Sequence, residues 1–290
     1  MKKLFALLLA LTMSLSLVAC GGNDAAEEEA PADDTATEEP AADGTTPESD
    51  AAYIEGNGKL IVGYTVYEPM NYTDADGNFT GFDTEFAQAV CDKLGLEATF
   101  QEINWDTKEI ELAGKTIDCI WNGMTITPDR AANMSISLPY VKNAQVIVVK
   151  ADSAYASTAD LVDATLVAEM GSAGEAQIEG EDANTDLAQA EYVGMNKQTD
   201  CLMEVKAGTA DAAVLDWTLA KSMVGEGTDF ADLKMIEGVE LATEEYGIAF
   251  RQGSDFTAKV DEAIKALVAD GTLPALAEKY GLALAPAIAG

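Results

Sequence analysis

Residues 117–130 have the sequence Ile-Asp-Cys-Ile-Trp-Asn-Gly-Met-Thr-Ile-Thr-Pro-Asp-Arg. The apolar residues at its start predict a buried β-strand over Ile117–Trp121. The segment ends on Arg130, which stands out in a chain that has 15 Lys and only two Arg. The segment therefore combines a predicted core strand with one of the two guanidinium groups in the chain.

Strand-like runs and helical stretches alternate on both sides of this segment. Three helices are predicted, at Asp83–Leu94 with Asp83 as its cap, at Ser254–Ala269 with Ser254 as its cap, and at Leu273–Tyr280. The other predicted strands are Leu60–Val62, Thr99–Ile103, Val146–Val149, Thr165–Ala168, Ala212–Leu215 and Gly247–Phe250. This alternation predicts an α/β fold with largely parallel sheets, and the length of the chain favours two lobes.

The first 20 residues are typical of an export signal. Lys2 and Lys3 precede an apolar stretch of about 15 residues, which is too short for a convincing spanning helix. The segment Leu17-Val18-Ala19-Cys20-Gly21 resembles the lipobox of bacterial lipoproteins, and that resemblance implies a signal peptide over residues 1–20 and a lipidated Cys20. The alternative is an ordinary secretory signal with a chance cysteine.

Residues 21–52 are predicted to be an acidic, disordered tether. From Asp24 to Ala52 the sequence has 11 acidic residues and no basic one, so nothing in it can form a core and its like charges repel. The whole chain has a formal net charge of -34. This charge argues against nucleic acid and anionic lipid as partners, so we expect membrane contact only through Cys20.

The composition also excludes several kinds of catalytic and metal site. The chain has no His, which rules out a Ser-His-Asp triad, a Cys-His dyad and every imidazole metal site. Cys91, Cys119 and Cys201 are predicted to be small buried hydrophobic residues, and a Cys91–Cys119 bridge is left open. Asp74–Asn78 lacks the closing Glu of a calcium loop and predicts a tight turn. We expect no metal and no cofactor.

Four segments resemble the bacterial extracellular solute-binding proteins of the polar amino-acid class. They are Gly81-Phe-Asp-Thr-Glu-Phe86, the segment 117–130, Ala207-Gly-Thr-Ala-Asp-Ala-Ala-Val-Leu-Asp216, and the closing run from Gly271 through Lys279-Tyr280-Gly281. The resemblance implies a two-lobed, periplasmic-binding-protein-like (Venus-flytrap) fold with two crossover segments. Lobe one would comprise residues 53–141 and 245–290, and lobe two residues 142–244.

The resemblance also implies how lobe one binds a free amino acid. Arg130 would hold the ligand carboxylate with its planar fork, which a Lys cannot do. Thr125 would add a hydroxyl and an N–H group to the same carboxylate. Gly123 would let the backbone approach the ligand closely, and its carbonyl would accept from the ligand ammonium group. Asn122 would reach the ligand side chain. Arg251 has no such context, and we expect it at the surface.

The remaining ligand-binding residues implied by the resemblance lie on both lobes. The loop at Ser172 and Ala173 would complete the carboxylate site at the start of a helix, and Asp216 would bind the ammonium group. Tyr67 and Trp105 would place rings against the ligand side chain. The alternatives are that Asp216 caps a helix and that the two rings pack in the core.

These residues support a function but not a particular ligand. Thr65 stands where relatives often carry Asp, which argues mildly against a basic amino acid, while Glu169 is one of the residues on which side-chain preference depends. We predict a lipid-anchored extracytoplasmic receptor, a monomer and not an enzyme, that delivers an L-amino acid to the permease and ATPase of an ABC importer. The alternatives are a ligand-sensing surface protein and a dehydratase on the same fold, with Glu169 as its candidate acid.

Overall fold

The computed structural model describes residues 49–289, and within them the chain is a mixed α/β protein. The described α-helices are α1 Asp50–Asn57, α2 Phe82–Leu94, α3 Lys108–Ala113, α4 Pro128–Asn133, α5 Ala173–Glu179, α6 Gln198–Ala207, α7 Trp217–Met223, α8 Phe256–Ala269 and α9 Thr272–Tyr280. The strands are β1 Lys59–Tyr64, β2 Tyr72–Thr73, β3 Phe79–Thr80, β4 Glu97–Glu102, β5 Cys119–Thr125, β6 Ser135–Ile136, β7 Val141–Lys150, β8 Thr165–Glu169, β9 Glu191–Met195, β10 Ala212–Asp216 and β11 Leu233–Phe250.

One continuous sheet runs through the described residues in the order β4-β1-β5-β11-β7-β10-β8-β9, with β6 beside β11. At one end β1 pairs in parallel with β4 and β5, and at the other β8 pairs in parallel with β9 and β10. The prediction of parallel pairing is therefore right within each end of the sheet. It is wrong at the centre, where β11 and β7 pair antiparallel with each other and with β5 and β10.

The two central strands connect the two ends of the sheet. Their ladder runs from Val141, opposite Tyr246, through Asn143, opposite Glu244, to Lys150, opposite Leu233. Its register shifts between Met235 and Ala242, which marks bulges that bend the long β11. Within the described residues, the sheet passes from one end to the other only through these two strands, and they match the pair of crossover segments that was predicted.

Aromatic packing fixes α2 against the strand that carries the motif. Phe86 meets Trp121 edge to face, with 5.0 Å between ring centroids, and it also packs on Tyr140. All three side chains are fully buried. Large aromatic residues contribute much of the apolar area that stabilises a core, so this cluster holds β5 in place beneath the site.

One predicted helix cap is wrong, and a second lies one residue from the cap position. Asp83 lies inside α2, which begins at Phe82 after Gly81, and its buried carboxyl group contacts another element instead of the helix start. Helix α8 begins at Phe256 and has Asp255 at its cap position, although Ser254 Oγ does accept from the Phe256 amide at 3.3 Å. In the first case the carboxyl group accepts hydrogen bonds from Gly123 and Tyr140 in the core instead of from the start of its own helix.

The strand predicted at Ile117–Trp121 is displaced toward the C-terminus. It is observed as β5 over Cys119–Thr125, and all seven of its residues are buried. The polar residues Asn122 and Thr125 are part of the strand because hydrogen bonds in the interior satisfy their side chains. Residues 119–125 of the segment 117–130 therefore form the strand, and Arg130 follows in α4.

The folded region starts earlier than expected, because α1 includes residues 50–52, which were assigned to the tether. Ser49 caps α1 by accepting from the Ala52 amide. Asp50 pairs with Arg251 at 2.6 Å, and Arg251 also pairs with Asp118 at 3.1 Å. Arg251 was predicted at the surface, but its side chain is largely buried. Its ion pairs connect the end of β11 with α1 and with the residue before β5.

Three further expectations concern cysteines, turns and membrane segments. Cys91, Cys119 and Cys201 are buried free thiols, so no Cys91–Cys119 bridge forms. Asp74 accepts from the Asn78 amide at 2.8 Å in the tight turn between β2 and β3. Among residues 49–289 no helix is long and apolar enough to cross a membrane. The predicted signal peptide, Cys20 and most of the tether lie outside the described residues.

Candidate functional site

Arg130 is the last residue of the segment 117–130, which is called the motif below, and it lies on the first turn of α4. Pro128 starts this helix, and Thr127 caps it by accepting from the Arg130 amide at 3.2 Å. The Arg130 side chain donates from Nη1 to the Thr125 carbonyl at 2.8 Å and from Nη2 to the Gly171 carbonyl at 3.0 Å. Arg130 is 8% exposed and forms no ion pair with any residue in the described range.

Lys108 is a second buried cation beside Arg130, and the sequence had no signal for it among 15 lysines. Its Nζ donates to the Gly171 carbonyl at 2.9 Å and to the Trp105 carbonyl at 3.0 Å. Burial, and then the neighbouring Arg130 charge, lower the pKa of Lys108 to about 8. Two cations thus converge on one carbonyl oxygen, and neither has a carboxylate partner within residues 49–289.

A cleft of about 1040 Å³ opens beside Arg130. It brings together four predicted site residues from both ends of the sheet, namely Thr125, Arg130, Ser172 and Ala173. Glu244, on the crossover strand β11, also lines it. Asn122, Gly123, Tyr67, Trp105 and Asp216 do not line this cleft.

Asp216 is the last residue of β10 and does not line the cleft. Its carboxyl group accepts from Gln145 at 2.8 Å and also from Asn143 and Gln198, whereas its side chain makes no cap bond to α7. Asp216 therefore occupies the cap position of α7, as the helix-cap alternative has it, but its side chain does not bond the start of the helix. Burial raises the pKa of Asp216, and no cation pairs with it in the described residues.

Glu244 links Asp216 to the motif, and sequence analysis missed it. Its Oε2 accepts from Thr125 Oγ1 at 2.9 Å, from Asn143 at 3.0 Å and from Gln145 at 3.1 Å. Asn143 and Gln145 thus donate to both Glu244 and Asp216. Burial, and then the charge of Asp216, raise the pKa of Glu244 to about 7. Asp216 and Glu244 thus form a pair of carboxyl groups that share amide donors, and burial favours the protonated form of both.

Tyr67 and Trp105 are both buried, but they make different contacts. The hydroxyl of Tyr67 lies 2.6 Å from the hydroxyl of Tyr246 and also hydrogen-bonds Thr218, beside Asp216. The ring of Trp105 lies 5.0 Å from Lys108 Nζ and packs in an apolar cluster with Met124. Core packing, left open for both residues, is therefore one of their roles.

Asn122 does not reach toward the cleft as expected. Its Oδ1 accepts from the Thr65 amide and hydroxyl, and its Nδ2 donates to the Thr65 carbonyl and to Asn71, all within 3.1 Å. With these polar contacts used inside the core, Asn122 holds the loop after β1. The same contacts use the amide, hydroxyl and carbonyl of Thr65, so the identity of this residue says little about which ligand side chain is preferred.

Gly123 is required by the backbone of the motif. Its φ is +58°, and a Cβ there would lie 2.7 Å from the Tyr67 ring. At the other side of the cleft, Ser172 caps α5 by accepting from the Glu175 amide at 3.1 Å, and the Ser172 amide donates to the Glu169 carbonyl at 3.2 Å. Ala173 begins α5, so its amide is one of the helix-start donors without an intrahelical partner.

Comparisons with known proteins agree with this architecture. The family profile described as bacterial extracellular solute-binding proteins, family 3, matches residues 60–283. The arginine-binding extracellular protein ArtP of Bacillus subtilis is 28% identical over 283 residues, which cover 97% of this chain and 98% of that protein. The L-cystine-binding protein TcyJ of Escherichia coli is 30% identical over 236 residues, 78% of this chain and 84% of that protein.

Solved structures show the same two-lobed fold. A mutant of ArgBP from T. maritima is 33% identical, with a TM-score of 0.73, over 80% of this chain and 99% of that chain. An ancestral amino acid-binding protein, described as a precursor of cyclohexadienyl dehydratase, is 29% identical, with a TM-score of 0.69, over 79% of this chain and 97% of that one. These relatives are named as binding proteins, in agreement with a receptor rather than an enzyme. The chain belongs to the bacterial extracellular solute-binding proteins, family 3.

Proposed function

We propose that this protein binds a free L-amino acid between its two lobes and delivers it to an ABC importer. The observation that carries the proposal is a buried cation that lines the cleft, together with a buried acid that is connected to the cleft through Glu244 and the amide donors that the two acids share. Within residues 49–289, Arg130 is a buried cation without an anion, and Asp216 is a buried acid without a cation. A buried charge without a partner is costly, and a zwitterion would supply both missing partners at once.

The ligand carboxylate would bind at Arg130. A guanidinium group has five N–H donors, and Arg130 uses two of them on the carbonyls of Thr125 and Gly171. The remaining donors, together with Lys108 and the amide of Ala173, can hold a carboxylate, whereas the Thr125 hydroxyl already donates to Glu244. The ammonium group would bind near Asp216 and Glu244, with the Gly123 carbonyl as a further acceptor.

Ligand binding would stabilise contacts between the lobes. We assign residues 53–141 and 245–290 to lobe one and residues 142–244 to lobe two, with α1 joining lobe one. The pair Lys197–Glu102 at 2.5 Å and the bond from Ser222 to Glu68 at 3.0 Å connect elements assigned to different lobes. A ligand that contacts both lobes would favour the closed arrangement over an open one.

The cellular setting of the receptor is also a proposal. The lipobox-like segment supports a lipid on Cys20, which would anchor the protein outside the cytoplasm, with residues 21–49 as the tether. The relatives named as ABC transporter-binding proteins support a permease and an ATPase as partners. We propose that the receptor works as a monomer. Replacement of Cys20 by Ala should release the protein from the membrane fraction.

Thermal unfolding tests the binding function directly. The full chain, purified in detergent and freed of bound ligand, would be heated with each common L-amino acid at about 1 mM. A ligand at about 1000 times its Kd stabilises the native state by about 4 kcal/mol, a rise of roughly 8–16 °C in Tm for a domain of this size. At least one amino acid should produce such a rise. A ligand-free, folded protein whose Tm responds to none of them would contradict the proposal.

A further inference from the structure

Glu169 is a buried carboxyl group next to the Gly171 loop of the site; it does not line the cleft described above, and the amino-acid backbone contacts leave it unused. It ends β8, two residues before the Gly171 carbonyl that Arg130 and Lys108 share. β8 lies next to β10 and parallel to it, and β10 ends at Asp216. Because parallel strands end at the same edge of a sheet, Glu169 and Asp216 lie on the edge that faces the other lobe.

One oxygen of the Glu169 side chain lacks a partner that its burial requires. It is 3% exposed, and Oε1 has no hydrogen-bond partner anywhere in residues 49–289. Buried carboxyl oxygens in native proteins almost always accept a hydrogen bond, because the loss of water otherwise costs free energy. Because Glu169 lies two residues before Gly171, whose carbonyl Arg130 and Lys108 share, a hydrogen-bond donor on the ligand is a candidate for the missing partner.

The charges of the site show what kind of donor is missing. The titratable groups around the Gly171 carbonyl and the Asp216–Glu244 pair are two cations, Arg130 and Lys108, and three carboxyl groups, Asp216, Glu244 and Glu169. If all three carboxyl groups are ionised in the ligand-bound state, they exceed the cations by one, and a zwitterionic ligand leaves that excess unchanged. A ligand with a further positive charge on its side chain would balance the five residues, and no other cation lies in an ion pair with any of the three acids in the described chain.

The titration of Glu169 is consistent with a missing cation. Burial, and then the charge of Asp216, raise the pKa of Glu169 to about 8, while Lys108 and Gln198 lower it and Asp200 raises it by a smaller amount. A proton therefore occupies the group in the ligand-free protein at neutral pH. A cationic partner would replace that proton, because opposite charge favours the ionised form.

We propose that Glu169 binds a cationic side-chain group of the ligand, so that the receptor selects amino acids with a guanidinium or ammonium group on the side chain. The inference rests on the proposed function, since it concerns the same ligand. It departs from the expectation drawn from Thr65, whose hydroxyl and amide are both held by Asn122. The acidic group that a basic ligand requires would come from lobe two instead of the loop after β1.

Arginine and citrulline test the proposal, because they have nearly the same shape and differ in a guanidinium against a neutral ureido group. Calorimetry on the full chain should give a Kd for arginine at least about 30-fold lower than that for citrulline, the range for a buried charge partner. If arginine proves too long for the site, lysine and glutamine form the second pair. Neutral ligands that bind as tightly as both cationic ones would overturn the proposal and leave the proposed function standing.

Glu169→Gln separates this role from a structural one. The substitution keeps the size of the side chain and should remove about 30-fold or more of the affinity for the cationic ligand while changing that for its neutral counterpart less than about 3-fold. Asp200→Asn is the matched control, because Asp200 is an exposed acid on α6 whose charge reaches Glu169. It should change neither Kd by more than about 3-fold.

Each other outcome has a defined meaning. Equal losses for both ligands would show that Glu169 serves the fold or Lys108, and would overturn the proposal. If Glu169→Gln does not fold, the comparison of cationic and neutral ligands on the unaltered protein still decides the question. If no amino acid of any charge binds the unaltered, folded protein, the proposed function fails together with this inference.

Discussion

Asp83 in α2 accepts a hydrogen bond from the backbone amide of Gly123 in β5, with 2.7 Å between Oδ2 and N. The same oxygen accepts from the Tyr140 hydroxyl at 2.9 Å. Gly123 is two residues from Thr125, whose carbonyl and hydroxyl contact Arg130 and Glu244. One buried carboxyl group beneath the sheet therefore fixes the backbone position of the strand that forms the ligand site.

Replacement of Asp83 by Ala should destabilise the fold and loosen the site. The change leaves the Gly123 amide and the Tyr140 hydroxyl buried without partners, at a cost of about 2–4 kcal/mol in the free energy of unfolding. Urea denaturation measures this cost. Asp92→Ala, at an exposed position of the same helix, should cost less than about 0.5 kcal/mol. Equal costs for the two variants would remove Asp83 from its supporting role.

Replacement of Arg130 by Ala should abolish amino-acid binding. The ligand carboxylate would lose its bidentate partner, and we expect Kd to rise by about 100-fold or more while the protein stays folded. Calorimetry measures Kd, and circular dichroism checks the fold. Lys142→Ala removes an exposed cation from β7 and should leave Kd within about 3-fold. Affinity close to that of the unaltered protein in Arg130→Ala would refute the carboxylate assignment.

The segment 117–130 allowed much of the site to be predicted, because its residues act within one short stretch of chain. The position of Arg130 beside Thr125 follows from a strand end, a Pro and a helix turn that lie within a few residues of one another. Local pattern also predicted the alternation of strands and helices. These are the features that sequence-local periodicity and turn chemistry determine.

The residues that sequence analysis missed reach the site through long-range pairing. Glu244 meets Thr125 across 119 positions, and it does so because β11 runs antiparallel to β7 with Glu244 opposite Asn143. Nothing near Glu244 or Lys108 in the chain distinguishes them from the many other charged residues. The core contacts of Asn122 could not be predicted for the same reason, since its partner Thr65 lies 57 positions away. Such roles depend on contacts between residues that are far apart in the chain, and a single sequence has no local pattern that predicts these contacts.

Replacement of Asp216 by Asn should weaken the binding of an amino acid more than that of its des-amino analogue. Only the amino acid has the ammonium group that the acid would bind, so we expect a loss of about 30-fold for the amino acid and little change for the analogue. Competition calorimetry compares the two ligands. Asp229→Asn, at an exposed position, serves as the control. Equal losses for the two ligands would assign Asp216 to the fold rather than to the ammonium site.

The ligand-free protein should lose stability as the pH rises from about 4.5 to 8. Burial raises the pKa of Glu244 to about 7 and that of Glu169 to about 8. A raised carboxyl pKa means that the native state binds more protons than the unfolded state in this window. The free energy of unfolding therefore falls with pH, by at most about 1.4 kcal/mol per pH unit for each carboxyl group that is protonated only in the native state.

The Gln variant of Glu169 separates this contribution from the others. Urea denaturation at pH 5 and pH 8 should show a smaller difference in unfolding free energy for Glu169→Gln than for the unaltered protein, because the amide does not titrate. Part of the difference should remain, since burial also raises the pKa of Asp83 to about 7. Asp200→Asn should keep most of the difference. A protein that becomes more stable between pH 5 and 8 would show that the acids of the site are ionised and already compensated without a ligand.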